Sequence, residues 1–81
     1  MAMSSTSVTT VDPASRSASS WSALLANLKS RGAPDTDIRV IECRQALAYW
    51  RIARSVNRES GQLSVPGADR LRSAISEAVA R

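Results

Sequence analysis

Four arginines, Arg44, Arg51, Arg54 and Arg58, recur along a stretch from residue 44 to residue 58 that holds no acidic side chain. Cys43, Tyr49 and Trp50 stand among or beside them. A guanidinium group grips carboxylates and phosphates as a planar, two-pronged donor, where a lysine acts as a point charge. Ten of the eleven basic residues of the chain are arginine, and the net charge is +4. The chemistry within reach of this set is recognition of an anion or of an acidic surface. Catalysis is far less accessible. There is no histidine, so a Ser–His–Asp triad, a Cys–His pair and histidine metal ligands are all excluded. Cys43 is the only cysteine; on a helical stripe it reads as a small apolar residue rather than a nucleophile. Asp35, Asp37 and Glu42 lack the glycine turn and oxygen-rich loop of a calcium site, and helix capping accounts for them. Gly32, Gly61 and Gly67 are isolated, so no glycine-rich loop is available to cradle a phosphate. The expectation is a non-enzymatic protein with no cofactor, no metal and no small-molecule substrate.

Elements must hold these residues in place, and the 81 residues allow one domain. Residues 1–20 contain ten Ser or Thr and two charges, Asp12 and Arg16. Such a composition does not repay its ordering entropy, so it reads as a disordered N-terminal tail. Residues 21–81 read as a helical domain. Trp21, Leu24, Leu25 and Leu28 repeat at helical spacing, with Ser19 or Ser20 as N-cap and Gly32 and Pro34 as the stop. A long central helix is expected from a cap at Asp35 or Thr36 to about Ser60, closed by Gly61, with its acids at the start and its arginines at the end. A third helix opens near Pro66 and carries Leu71, Ile75 and Val79 as its apolar stripe. No alternating β pattern and no repeat occurs. The fold class is all-α: a small three-helix domain with a long central helix behind a disordered tail.

The central helix has two apolar faces. One holds Ile38, Ile41, Gln45, Ala48, Tyr49, Ile52 and Val56. Being long and mostly aliphatic, it is assigned to the core, with Gln45 as the misfit. The other holds Val40, Cys43, Leu47 and Trp50 at spacings of three, four and three, and continues into Arg54 with Arg51 and Arg58 beside it. If helices one and three leave this second face uncovered, it is an interaction surface, with Val40, Cys43, Leu47 and Trp50 as anchors and Arg51, Arg54 and Arg58 as charged selectors. Its partner would be a protein with an acidic or apolar surface, or a second copy of the chain.

Nucleic-acid binding is the alternative, through Arg44, Arg51, Arg54, Arg58 and Arg70 as phosphate contacts, in keeping with a sequence pI near 10.6. Ala53, Gly61, Leu63, Ser64, Arg70 and Leu71, within residues 52–75, resemble the helix-turn-helix of bacterial regulators. The resemblance implies a recognition helix presenting Gly67, Asp69, Arg70 and Ser73 to the major groove. It spans under a third of the chain and departs from the family in its long first helix, its wider Ala-to-Gly spacing and the Pro66–Gly67 pair. The lone cysteine and the lack of a long apolar run or leader-like start point to an intracellular, cytoplasmic protein without a membrane span. The Arg- and Ala-rich composition is similar to that of small actinobacterial and phage proteins.

Overall fold

The computed structural model describes residues 9–80. Among these the chain is all-α, with a 3₁₀ turn at Pro13–Ser15 and three helices, α1 (Ala18–Ser30), α2 (Ile38–Arg58) and α3 (Val65–Ala80). The expected tail divides: residues 1–8 lie outside the described residues, and residues 9–17 are built onto the domain.

Local chemistry fixes each boundary. Ser17 caps α1 by accepting from the Ser20 amide, so the helix begins before the expected Ser19 or Ser20 cap. The Arg31 amide and Gly32 close its end, and Gly32 takes φ +84°, a left-handed conformation that glycine adopts without a Cβ penalty. Asp37 caps α2, accepting from the Arg39 amide at 2.8 Å, in place of the expected Asp35 or Thr36. Asp35 is used otherwise. Its carboxylate takes Lys29 Nζ at 2.8 Å and Arg44 Nη2 at 3.1 Å, tying the end of α1 to the second turn of α2. Gly61, at φ +86°, follows the end of α2. Ser64 caps α3, its hydroxyl accepting from the Gly67 amide at 3.1 Å, with Pro66 in the first turn as its missing N–H allows.

α1 packs on α2 and buries Trp21, Leu28, Val40, Cys43 and Ala46, with Leu24, Leu25, Leu47 and Trp50 partly buried against them. This reverses the expected assignment of the central helix. Ile38, Tyr49, Ile52 and Val56, assigned to the core, are 54%, 44%, 52% and 48% exposed, while Val40 and Cys43 are fully buried. Small side chains explain the choice. Val40, Cys43 and Ala46 let the α1 backbone come close, and close packing of many small contacts outweighs a longer but bulkier stripe.

Residues 9–15 cover what α1 leaves open. Val11 packs against the core. The Pro13 carbonyl accepts from the indole N–H of Trp21 at 2.8 Å and of Trp50 at 3.0 Å. The Thr9 hydroxyl donates to Gln45 Oε1, which supplies the misfit glutamine with a partner. This N-terminal strap, rather than helix three, closes the core.

α3 stands apart. It has no buried residue, and its backbone makes no close approach to α1 or α2. The expected small all-α domain of three helices is present, with its third helix set apart from the closely packed α1–α2 pair.

Candidate functional site

The residues expected to bind a partner divide into three groups. Val40 and Cys43 are excluded from any surface, because α1 and the strap bury them completely. Burial also pushes the Cys43 thiol above its ordinary pKa, which lowers its thiolate fraction and its reactivity. Leu47 and Trp50 are half-buried against the same core. The Trp50 ring meets Tyr49 edge-on at 5.3 Å, and its N–H is taken by Pro13. Trp50 is therefore held against the core, and of the proposed anchor stripe Val40 and Cys43 are not available to a partner.

Arg51, Arg54 and Arg58 are exposed on the last turns of α2. The buried stripe runs out into them at the point where α1 and the strap stop. Among the described residues none of the three has a carboxylate partner; Arg58 donates to the Ser55 hydroxyl at 3.3 Å. Arg44 is set apart by its bond to Asp35. Arg70 lies on α3, in a shallow groove with Asp69, Ser73, Ala74 and Glu77. The arginines thus fall on two elements rather than in a single stripe. The close helix pair implied by the helix-turn-helix resemblance is not seen, since a recognition helix packs on its predecessor and the α3 backbone makes no close approach to that of α2. Asp69, one of its four groove-facing positions, is held by Arg72 at 2.7 Å.

The surface the structure presents instead is a cleft between the C-terminal half of α2 and α3. Ile52, Val56, Leu63, Leu71 and Ile75 line it, with Arg51, Ser55 and Glu59 at its rim, around a space of about 330 Å³. Its apolar residues are all between 43% and 52% exposed. The sequence displays each of these residues, but reading them as core or third-helix packing hides the cleft. The available signal is the isolated amphipathic stripe of α3 beside a basic helix end.

A second hollow lies at the α1–α2 turn, lined by Leu24, Arg31, Ala33, Pro34, Asp37 and Arg39 among others. Its charges are already engaged. Arg39 grips Asp37 through Nε and Nη2 at 3.1 and 2.7 Å, holding that carboxyl down to a pKa of about 2. Among the described residues no group of three or more His, Cys, Asp or Glu side chains could hold a metal ion, and no helix is long and apolar enough to cross a membrane. Compared with known proteins, the chain matches no family model, no curated protein and no solved structure.

Proposed function

We propose that the chain is a non-enzymatic protein-interaction module whose partner seats on the apolar cleft between α2 and α3. The observation that carries this reading is the open state of that cleft: a whole amphipathic helix, α3, with no buried residue, facing the uncovered side of α2. Contiguous exposed apolar surface of this extent marks interaction sites in small proteins. Arg51 at the rim, with Arg54 and Arg58 beyond it, favours a partner that flanks its apolar contact with carboxylates. Such charges act on association rate and selectivity more than on affinity. The test is site-specific photo-crosslinking in cells, with p-benzoylphenylalanine at Leu71 in the cleft and, as control, at the exposed Ser22 of α1. A discrete adduct from position 71 alone is expected. Equal or absent adducts at both positions would remove the reading.

Phosphate contact is the second reading, favoured by Arg51, Arg54 and Arg58 having no carboxylate partner among the described residues. It requires salt-sensitive binding to random duplex DNA, strongest at low salt, and failure to bind at about 50 mM salt would end it.

A further inference from the structure

We infer that Trp21, Gln45 and Trp50 form a recognition site for an extended peptide segment, and that the strap is its occupant in cis. The segment it takes presents a hydroxyl residue, an aliphatic residue and a proline at alternate positions. This site is separate from the cleft, which none of its three residues lines, so either reading can fail without the other.

The first argument is how the strap lies. Thr9, Val11 and Pro13 are partly buried, while Thr10, Asp12 and Ala14 are exposed. This is the alternation of an extended chain that is read on one side, and Asp12 has extended backbone angles, φ −89° and ψ 109°. Each inward position meets one feature of the helix pair. The Thr9 hydroxyl donates to Gln45 Oε1, Val11 packs against the core, and the Pro13 carbonyl takes both indole N–H groups. Main-chain hydrogen bonds combined with places for alternate side chains are how folded domains recognise extended peptides.

The second argument is that the segment carries its own conformation. The Ser15 amide donates to the Asp12 carbonyl at 3.1 Å, and the Ala14 amide to the Asp12 carboxylate at 3.0 Å. Both bonds lie within residues 12–15. Proline suits the first position of this turn, because its φ is preset and it has no N–H to satisfy. The turn uses the Asp12 carbonyl and leaves that of Pro13 to the indoles. A free peptide of the same residues brings these features with it.

The third argument is how the strap is attached. Among the described residues no backbone–backbone hydrogen bond joins residues 9–15 to α1 or α2; the bonds that hold it run through side chains of the pair. α1 takes its cap from Ser17, beyond the strap, and the α1–α2 turn is held by Asp35 with Lys29 and Arg44. The strap can therefore lift by local opening, without unwinding a helix. Water then serves the two indole N–H groups until a segment returns. Tethered through Arg16, the strap has a high effective concentration at the site. It excludes weak competitors and yields to a segment of the same pattern that binds more tightly.

The test uses the full chain and an acetylated, amidated peptide of residues 9–15. The readouts are the indole N–H signals of the two tryptophans by NMR and helicity by circular dichroism. In the unaltered protein both indole N–H groups should be at least about tenfold less protected from solvent exchange than the amides of Val40 and Cys43, because the strap opens locally. Val11→Asp should lift the strap, moving both indole signals to the positions of solvent-exposed tryptophan while helicity is kept. Added peptide should return them to their native positions, and a peptide with the same substitution should not. The unaltered protein should bind the peptide at least about tenfold more weakly than the variant, since its own strap competes. Indole protection equal to that of Val40 and Cys43 would overturn the inference. So would loss of helicity in Val11→Asp, or indole signals that the peptide leaves unmoved: the strap would then be a fixed part of the core.

Discussion

Trp21 and Trp50, one on each of the two packed helices, direct their indole N–H groups at the same oxygen, the carbonyl of Pro13. A carbonyl has two lone pairs, and here both are used. The arrangement joins α1, α2 and the preceding strap through one atom, and it explains how two large aromatic residues with polar edges are accommodated at a core otherwise made of Leu, Val, Cys and Ala side chains. Arg16 lies over the Trp21 ring, its guanidinium carbon 5.4 Å from the ring centroid, and covers the exposed flank of that indole.

Removing one indole donor should therefore cost about 1 kcal/mol from the hydrogen bond, with a further contribution from lost ring volume. Trp21→Phe, at a 4% exposed site, should cost more than Trp50→Phe. In a double-mutant cycle the two losses are expected not to add, because they share an acceptor. Urea unfolding of the two single variants and the double variant measures this. Strict additivity would show that the two bonds act independently.

Core and cleft should respond differently to truncation. Val40→Ala, at a fully buried site, should destabilise by about 1–3 kcal/mol through lost transfer energy and residual cavity. Val65→Ala, at 77% exposure, should stay within about 0.5 kcal/mol. Thermal or denaturant unfolding checks both values. The thiol of Cys43 provides a second readout: in native protein it should react with a thiol reagent far more slowly than after unfolding in urea.

Acid should weaken the fold through the two aspartates of the α1–α2 turn. Arg39 holds the Asp37 carboxyl at a pKa of about 2, below its ordinary 3.8. Asp35 is also held low, first by the hydrogen bond from Lys29 and then by the charge of Arg44. The folded state therefore binds fewer protons than the unfolded chain in this range. The stabilisation is present above pH about 4 and is lost as pH falls toward about 2. Melting temperature should fall over that window. Asp37→Asn keeps a good cap residue but loses the Arg39 pair, and it should flatten the fall. An equally steep fall in that variant would place the acid sensitivity elsewhere.

Gly32 and Gly61 should each tolerate alanine poorly for a backbone reason alone. Both have positive φ, and a Cβ at either meets nothing within 4 Å. The expected cost is about 1 kcal/mol at each position, without any change in packing. Unfolding of the two variants measures it.

Helix positions and stops are legible in the sequence because they depend on local chemistry: a serine or aspartate cap, a left-handed glycine, a proline in the first turn. The buried face of α2 is not. Its two stripes are both apolar, and choosing the longer one ignores that Val40, Cys43 and Ala46 allow closer approach than Ile52, Tyr49 and Val56. The cover over Trp50 was also hidden. Thr9, Val11 and Pro13 sit in a Ser/Thr-rich segment whose composition alone argues against order, yet an indole N–H left without an acceptor in a core is costly, and Pro13 answers two of them. Of the candidate site, Arg51 at the cleft rim and the exposed Arg54 and Arg58 were legible, whereas Val40 and Cys43 became core.

The shared acceptor also orders events during synthesis. The bond from Trp21 to Pro13 closes a separation of 8 residues and can form as soon as α1 has left the ribosome. The bond from Trp50 spans 37 residues and must wait for most of α2. Until then the strap is held at one end of its purpose, with one lone pair of the Pro13 carbonyl facing water and the face that α2 will fill still open. The last native contact of the core thus belongs to a segment translated before both of the helices it joins.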